Sequence, residues 1–397
     1  MTSGVERLRV VDFTTTIAGP HCTRLLADLG AEVIKVESPE GDMMRGRPPM
    51  RGGASTSFGQ LNAGMASVVI DLKHPAGIAA ARRLVATADV LVENFRPGVM
   101  QRFGLDYPVC AALKPDLIYC AISGYGQSGP SADLPAYAPV IHAASGYDLA
   151  HVAHQQVDRR PDYCGIYIAD VLSGTYAFGA IMAAVCQRQA TGEGQLVDVS
   201  MLESMLSLCL GEMQVAQFPM PPPGRPVFGP ITTKDGFINL SVASERTFRN
   251  LAAACGRLDW IDDPRFAAYA DRRANWGQLI DEVEVWSQQR TRAEVQAAFD
   301  EHGVPASPYR TVKEAMADPQ LAHRRAFAEI RDRGGSFLAL NPPFRLSKAA
   351  ASAQPFVAAL GEHTAGVLAG LGYGADEIAA LAADAVILCA PTASADG

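Results

Sequence analysis

The sequence lacks the cysteine patterns that hold a metal or build a disulfide framework. Its eight cysteines are scattered from Cys22 to Cys389, with no CxxC pair and no metal-type spacing. Isolated thiols suit a reducing compartment better than an oxidising one, so we expect a cytoplasmic protein. His151 and His154 stand three residues apart, but no third ligand is evident nearby, and we expect solvated polar side chains there and no metal site.

The chain also lacks an excess of positive charge. Its net charge of −8 gives no general affinity for nucleic acid or anionic membranes, so an anionic ligand needs a local basic pocket. No charged-then-apolar leader follows Met1, because Glu6 and Arg7 come early. No run approaches the roughly 18 apolar residues that span a bilayer. We therefore expect neither secretion nor membrane insertion, and no nucleic-acid partner.

What is present is enough apolar sequence for two domains. The chain has 397 residues, of which 48% are hydrophobic. Strand-like and helical segments alternate in its first third. The strand-like segments are Leu8–Phe13, Ala31–Glu37, Ser67–Leu72, Asp89–Phe95 and Asp116–Ser123. The helical segments are Pro20–Leu29, Pro75–Ala88 and Tyr107–Lys114. This order predicts an α/β fold with a large Rossmann-like domain, whose parallel sheet carries helices on both faces.

Ligands of such sheets bind at the carboxyl ends of the strands. The loops at Thr14–Gly19, Ser38–Arg47 and Asn94–Gly98 are therefore the candidate binding loops.

A proline-rich segment divides the chain. Residues 219–226 contain five prolines in eight positions and are predicted to be a linker, since they suit neither helix nor sheet. After it, Thr232–Leu240 has a hairpin signature and helical patterns follow. We predict a large domain at 1–218, a smaller α+β domain at 227–330, and a return segment at 331–397 that packs on the large domain. Ala375–Ala383 is predicted helical and residues 391–397 disordered.

Two enzyme signatures can be set aside. Gly124–Gly129 matches GxGxxG after a predicted strand, but Pro130 and Pro135 predict an extended loop where the nicotinamide fingerprint needs a helix. The GxSxG elbow of serine hydrolases is absent.

Asp170 is the carboxylate that most needs an explanation. It lies in an apolar, glycine-bounded stretch, and no Lys or Arg occurs between Arg160 and Arg188. A buried charge there lacks a local partner, which makes Asp170 a candidate nucleophile. The alternative is a capping residue for a helix predicted over Val171–Gln189, because Asp is a favoured N-cap.

Several strings in the chain together resemble the class III CoA-transferase family, also called CaiB/BaiF. They cover nearly the whole chain, in family order. They are Ala18–Pro20 with Leu26–Glu37, Gly41–Arg45, Glu93–Gly98, Ser123–Pro130, Gly165–Gly174, Thr191–Gln195 and Leu360–Thr364. The family includes formyl-CoA transferase, carnitine CoA-transferase and α-methylacyl-CoA racemase. The resemblance implies an interlaced homodimer, an acyl-CoA thioester and a carboxylic acid as substrates, and no permanently bound cofactor.

By this resemblance Asp170 aligns with the family's catalytic aspartate. A carboxylate can attack a thioester to give an acyl anhydride and then an aspartyl-CoA thioester. The resemblance also implies residues that hold CoA. They are Thr16, Ile17, Ala18, Arg45, Asn94, Phe95, Arg102 and Tyr137. For Arg45 and Arg102 a salt bridge is the alternative reading.

Three positions depart from the family pattern. Ile17 stands where formyl-CoA transferase has a glutamine, Met65 where many members have a lysine that faces CoA, and Ala138 where an acidic residue usually follows Tyr137. The small domain also has no run of glycines. These departures disfavour formyl-CoA and oxalate, and succinyl-CoA is a plausible donor by family habit.

Two rival functions remain open. A 2-methylacyl-CoA racemase needs an acid and a base on either side of the α-carbon, and racemases have a histidine in place of Tyr137 and a glutamate near Ser244, where Glu245 is adjacent here. A catalytically silent CoA-binding protein is the other. The chain lacks the pair expected of a racemase, and retention of Asp170 argues against the silent protein.

Overall fold

A computed structural model describes residues 4–155, 160–162, 164–219 and 228–390 of the chain. The linker predicted at 219–226 lies outside the described residues except for Pro219, and the tail at 391–397 lies wholly outside them.

Fourteen strands occur in the described part of the chain. They are β1 Arg9–Asp12, β2 Glu32–Glu37, β3 Met50–Arg51, β4 Ala54–Ser55, β5 Ala66–Ile70, β6 Val90–Glu93, β7 Ile118–Ser123, β8 Gln195–Ser200, β9 Pro230–Thr233, β10 Gly236–Leu240, β11 Ala306–Pro308, β12 Phe327–Asp332, β13 Gly335–Leu340 and β14 Ile387–Leu388.

Eighteen α-helices occur in the same residues. They are α1 Ala18–Asp28, α2 Thr56–Asn62, α3 Pro75–Val85, α4 Val99–Arg102, α5 Tyr107–Leu113, α6 Ala138–Ala144, α7 Tyr147–His154, α8 Ile168–Thr191, α9 Met201–Leu206, α10 Leu210–Gln217, α11 Glu245–Ala254, α12 Tyr269–Ala274, α13 Trp276–Ser287, α14 Arg292–His302, α15 Val312–Met316, α16 Pro319–His323, α17 Thr364–Gly370 and α18 Ala375–Ala383. Short 3₁₀ turns lie at Gly4–Arg7, Met43–Gly46 and Leu258–Ile261.

The chain forms two compact units. The larger comprises residues 1–149, 162–210 and 320–397, and the smaller comprises 150–161 and 211–319. The smaller unit therefore begins at 211, ahead of the proline-rich segment, and also takes in 150–161, which we had placed in the large domain.

The larger unit is built on a seven-stranded sheet. Its strand order is β14-β5-β2-β1-β6-β7-β8. All neighbours are parallel except β14, which runs antiparallel to β5. The predicted parallel sheet with alternating helices is confirmed. The strand order reverses at β1, so the carboxyl ends of β1 and β6 flank the crevice where such sheets bind ligands.

Alternate side chains of the central strands enter separate cores on the two faces of this sheet. Val10 belongs to the core that packs against α1 and α8, whereas Val11 belongs to the core that contains residues of α3, α5 and α17. This period of two is the expected geometry of a strand buried on both sides. The sheet is therefore sandwiched between helical layers.

Helix α8 is the central helix of the larger unit. Its buried stripe recurs every four residues at Ala169, Ser173, Ala177, Ile181 and Val185, as one face of an α-helix requires. By length and mean hydropathy this 24-residue helix could cross a bilayer, although its sequence contains no unbroken run of about 18 apolar residues. Its buried stripe packs into the sheet core, which accounts for part of its apolar sequence.

The smaller unit has its own core around a three-stranded antiparallel sheet of order β11-β10-β9. Strands β9 and β10 form the predicted hairpin, with Gly236 opposite Thr233. Helices α11, α13 and α14 supply buried residues such as Phe248, Leu279 and Phe299. This confirms an α+β arrangement for the unit.

Candidate active site

Asp170 lies in the first turn of α8. The helix begins at Ile168 and its N-cap is Tyr167, so the alternative reading of Asp170 as the capping residue is wrong. Aromatic residues are poor N-caps, and this is why the sequence pattern placed the start of the helix too late. The third helical position leaves the Asp170 carboxylate free of the capping role.

Burial dominates the electrostatics of Asp170. It raises the pKa of this carboxyl from 3.8 to about 7. The positive end of α8 acts in the opposite direction, but a helix terminus contributes at most about 2 kcal/mol, less than the roughly 4 kcal/mol that a shift of this size implies. No described residue donates a hydrogen bond to the carboxylate or forms an ion pair with it. Asp170 is thus a poorly solvated carboxylate without a partner.

Gly174 brings α1 against the Asp170 face of α8. A Cβ atom at Gly174 would lie 2.4 Å from the carbonyl oxygen of Ala18 and 3.2 Å from Cβ of His21. Residues four apart share a helix face, so Asp170 lies one turn away from this contact and on the same side. Asp170 therefore lies on the face of α8 that packs against the first turn of α1, which the loop of Thr16 and Ile17 precedes.

The loop before α1 contains a strained residue. Thr16 has φ of 72°, a left-handed conformation that costs a β-branched residue on the order of 1–3 kcal/mol. Its backbone N–H donates to the carboxylate of Asp42, at 3.2 and 3.3 Å from the two oxygens. Strain of this kind persists only where the surroundings enforce it. It occurs here at a residue that we predicted to contact CoA.

Asp42 is itself held in a buried charged cluster. Lys35 lies 3.1 Å from Asp42 and donates to the carbonyl oxygen of Thr14 at 2.8 Å. Burial alone lowers the pKa of Lys35, but the carboxylates of Asp12 and Asp42 outweigh it and raise that pKa. Lys35 therefore stays charged and fixes both ends of the loop from Thr14 to Thr16.

Asn94 fastens the same loop from β6. Its side-chain oxygen accepts the N–H of Thr15 at 2.9 Å, and its side-chain nitrogen donates to the carbonyl of Thr15 at 2.8 Å. The oxygen and the nitrogen of the Asn94 amide thus each bond to the backbone of Thr15. We predicted a direct contact of Asn94 with CoA, which stays a prediction, and the structure adds that this side chain shapes the loop.

Arg45 is an ion-pair residue in this structure. Its guanidinium meets Glu37 through two bonds of 2.7 Å, donates to the carbonyl of Ala358 at 3.1 Å, and stacks 4.0 Å from the ring centre of Phe58. It also donates to Ser67. The salt bridge that we kept as an alternative is therefore present. All three guanidinium nitrogens have protein partners, so Arg45 supports the loop after β2, and its contact with CoA stays a prediction.

Phe95 follows Asn94 in a turn organised by Glu93. The N–H of Phe95 donates to the Glu93 carboxylate at 2.8 Å. Burial, helped by the charge of Asp198 and opposed by the bond from Phe95, raises the pKa of Glu93 to about 8. This shift favours the neutral form of the Glu93 side chain. The ring of Phe95 is only half-buried and leaves an apolar face at the carboxyl edge of the sheet.

Arg102 and Tyr137 are exposed. Arg102 ends α4, and within the described ranges no ion pair involves it. Tyr137 is the N-cap of α6 and its side chain is 64% exposed. Both side chains are accessible to a ligand, but no contact in the structure ties either of them to Asp170.

The three positions that depart from the family pattern are all buried. Ile17 is 8% exposed and Ala138 is 2% exposed. Met65 is also 2% exposed and packs in the core beneath α1, near Thr23. The methionine therefore contributes to the core, in place of the lysine that many family members have at this position.

Sequence reasoning missed two residues that hold the first turn of α8. Ser173 donates through its hydroxyl to the carbonyl of Ala169 at 2.7 Å and to that of Asp170 at 3.1 Å. His142 accepts the N–H of Ala169 at 3.1 Å. A serine four residues after a helical carbonyl is a local pattern that could have pointed to Ser173. His142 lies 27 residues from Ala169, so no local pattern pointed to it.

Comparison with known proteins decides the family. Residues 5–364 match the model of CoA-transferase family III. The chain belongs to this family. It is an acyl-CoA:carboxylate CoA-transferase, and the resemblance stated from the sequence strings is confirmed.

Named relatives and solved structures agree. A succinate–glutarate CoA-transferase of Agrobacterium fabrum is 33% identical over 92% of this chain and 94% of its own length. A succinyl-CoA–D-citramalate CoA-transferase of Chloroflexus aurantiacus is 34% identical over 96% of this chain and 98% of its own. The crystal structure of a CaiB/BaiF family protein from Brucella suis superposes with a TM-score of 0.82, at 32% identity, over 94% of this chain and 100% of that one.

Proposed function

We propose that this transferase moves CoA from an acyl-CoA donor to a free carboxylic acid through covalent intermediates on Asp170. The observation that carries the proposal is the carboxylate of Asp170, half-buried at the start of α8 without a hydrogen-bonding or ionic partner in the described chain. A structural carboxylate at such a place would be paired. An unpaired one is suited to attack.

The proposed reaction has four steps that balance without a net proton. An oxygen of Asp170 attacks the thioester carbonyl of the donor, the carbon–sulfur bond breaks, and CoA leaves as a thiolate. The thiolate attacks the aspartyl carbonyl of the resulting anhydride and releases the donor acid. The acceptor carboxylate then attacks the aspartyl-CoA thioester and frees the thiolate again. In the last step the thiolate attacks the acceptor acyl carbon, which gives the new thioester and restores Asp170.

The burial of Asp170 serves this chemistry in two ways. A pKa raised to about 7 makes the carboxylate a stronger base and nucleophile than an ordinary aspartate. The same lack of solvent protects the anhydride and the thioester from hydrolysis. Among the described residues no side chain donates a proton to the Asp170 carboxylate, which is consistent with a cycle that needs no proton donor.

We propose that some of the predicted CoA-binding residues contact CoA directly and that others act indirectly. Thr16, Ile17 and Ala18 contact the thioester end, because Gly174 brings their loop to the Asp170 face of α8. Phe95 offers an apolar face, while Arg102 and Tyr137 offer exposed polar groups. Arg45 and Asn94 act indirectly, by holding the loops.

The substrates we propose are succinyl-CoA as donor and a dicarboxylic acid as acceptor. The names of the relatives from Agrobacterium fabrum and Chloroflexus aurantiacus support this class. Ile17 supports it as well, since an apolar wall at the loop suits a chain of several carbons better than formyl-CoA or oxalate. A screen of acyl-CoA donors against carboxylic acids, with CoA products read by mass spectrometry, tests the assignment. Formyl-CoA with oxalate as the fastest pair would contradict it.

We further propose a homodimer, interlaced as the family resemblance implies. Helix α8 supports it, because large apolar side chains outside its buried stripe, such as Val171 and Tyr176, are 43% and 48% exposed. A second copy of the chain would cover such a surface. Light scattering coupled to size-exclusion chromatography should give twice the mass of one chain, and a monomer would contradict the proposal.

Substitution of Asp170 tests the function. Asp170→Ala should abolish transfer while CoA binding and folding persist, because only the nucleophile is removed. Asp170→Asn keeps the size of the side chain and should be equally inactive. Transfer at an undiminished rate in either variant would contradict the proposal.

The racemase alternative finds less support in the geometry. Tyr137 stands where racemases have a histidine, and Glu245 is engaged with the buried Arg272 in the smaller unit. Proton NMR of a 2-methylacyl-CoA in deuterated buffer separates the two functions. We expect no enzyme-dependent exchange at the α-carbon, and exchange at a rate comparable to turnover would favour the racemase.

A further inference from the structure

His142 is a buried histidine in α6 that contacts the helix of Asp170. It is 4% exposed, and its ring lies 6.0 Å from that of Tyr147. Its Nε2 atom accepts the backbone N–H of Ala169 at 3.1 Å. Ala169 directly precedes Asp170 in the chain and is itself fully buried. The bond therefore joins two distant segments at the residue before the proposed nucleophile.

The bond answers a requirement of the helix terminus. The N–H groups of the first helical turn have no acceptor within the helix, and Tyr167 provides no side-chain cap. Because Ala169 is buried, water cannot easily replace an acceptor that is lost. The ring nitrogen of His142 therefore supplies the hydrogen-bond acceptor that the N-cap side chain does not provide.

The arrangement fixes the state of the ring. A nitrogen that accepts an N–H must carry a lone pair, so the proton of the neutral ring resides on Nδ1. Burial lowers the pKa of His142, which favours the neutral ring, while the charge of Asp148 acts in the opposite direction.

Ser173 secures the other side of the same turn. Its hydroxyl donates to the carbonyl oxygens of Ala169 and Asp170. The peptide groups on both sides of Ala169 are thus anchored, one through its N–H and one through its carbonyl. Asp170 receives its position from a turn that is fixed by side chains rather than by the helix alone.

We propose that His142 is a positioning residue for CoA transfer, which holds the first turn of α8 so that the Asp170 carboxylate points at the thioester. The inference rests on the proposed role of Asp170. His142 does not touch the substrate in this account. Its loss should therefore lower the rate of the chemical step more than the affinity for acyl-CoA.

Three substitutions test the proposal in the full-length protein. His142→Phe keeps a ring beside Tyr147 but removes the acceptor, and should lower kcat at least tenfold with KM for the acyl-CoA changed less than threefold. His142→Gln places an amide oxygen close to the position of Nε2 and should restore kcat to within about threefold of the wild type. His74→Phe removes a ring nitrogen that accepts the N–H of Ala76 in the first turn of α3, and should leave kcat unchanged.

The outcomes separate this inference from the proposed function. If His142→Phe retains kcat within twofold of the wild type, or if His142→Gln is no better than His142→Phe, the inference is overturned while Asp170→Ala still reports on the nucleophile. If Asp170→Ala is active, the proposed function fails whatever the histidine variants do.

A measurement on the wild type covers the case in which His142→Phe does not fold. Nitrogen-15 NMR of histidine-labelled protein, with the His142 signals assigned from His142→Gln, should show an unprotonated Nε2 and a protonated Nδ1 at pH 7.5. A proton on Nε2 would exclude the bond to Ala169 and overturn the inference.

Discussion

Asn94 binds the backbone of Thr15 at both its N–H and its carbonyl, 79 residues away in the chain. The side-chain amide of Asn94 thereby pairs with the backbone of Thr15 as the backbone of a neighbouring strand would. It links the loop after β1 to the residue that follows β6, at the point where the strand order of the sheet reverses. The strained conformation of Thr16 follows directly after this clamp. The shape of the loop before α1 therefore depends on the side chain of Asn94.

Removal of the clamp should loosen the loop. Asn94→Ala breaks both bonds and should lower the free energy of unfolding by about 1–3 kcal/mol, because the backbone groups of Thr15 lose their partners. The KM for acyl-CoA should rise at least fivefold. Urea unfolding and steady-state kinetics measure the two effects. Asn250→Ala, which breaks a bond to the carbonyl of Gly303 in the smaller unit, is the control and should leave KM unchanged.

The close approach of α1 to α8 predicts opposite effects for two glycines of one helix. Gly174→Ala should destabilise the fold by roughly 1–3 kcal/mol and reduce transfer, because its Cβ would clash with the carbonyl of Ala18. Gly179→Ala meets nothing within 4 Å and should stabilise the helix by roughly 0.5–1 kcal/mol. Thermal unfolding of both variants checks the prediction. A Gly174→Ala variant as stable and active as the wild type would contradict the packing account.

The sequence predicts the regular parts of this fold well for a physical reason. Strands β1, β2 and β6 are short apolar runs and α1 ends at a glycine-bounded turn, so local patterns suffice. Local patterns fail where distant residues decide. Arg45 and Glu37 lie eight positions apart, yet the bond to Ala358 that completes their network spans 313 residues. The start of α8 was misplaced because its N-cap, Tyr167, is not a residue type that marks a helix start, and the side chain that accepts the Ala169 N–H, His142, is 27 residues away.

The buried carboxyl of Asp170 should cost stability at neutral and alkaline pH. Its pKa is about 7 in the folded protein and near 3.8 in the unfolded chain. Between pH 3.8 and 7 the folded state therefore keeps a proton that the unfolded state has released. Stability due to this group is therefore complete below pH 3.8 and declines as pH rises through 7. At pH 8 the free energy of unfolding of Asp170→Asn should exceed that of the wild type by on the order of 2 kcal/mol, after allowance for partial solvent screening. At pH 3.5 this group should contribute no difference between the two proteins. Chemical denaturation at several pH values measures the difference, and a gain that shrinks with rising pH would contradict it.

Arg102 is predicted to contact a phosphate of CoA. Arg102→Ala should weaken acyl-CoA binding about tenfold, with less effect on the KM of the acceptor acid, because one charge-assisted contact is lost. Arg7→Ala is a matched control, since it removes an exposed cation just before the amino end of β1, at the opposite edge of the sheet. Calorimetric titration with acyl-CoA compares the two. Equal affinities in both variants would exclude Arg102 from the binding site.

The most direct test of the central claim follows oxygen-18 into Asp170. When the acceptor acid carries oxygen-18 in its carboxylate, the proposed cycle forms an anhydride with Asp170, and cleavage at the acceptor carbon leaves one labelled oxygen on the aspartate. Mass spectrometry of the peptide that contains Asp170, isolated after turnover, should show one oxygen-18 atom and then a second as turnover continues. Transfer without covalent participation of Asp170 would leave this peptide unlabelled after many turnovers, and that result would contradict the account.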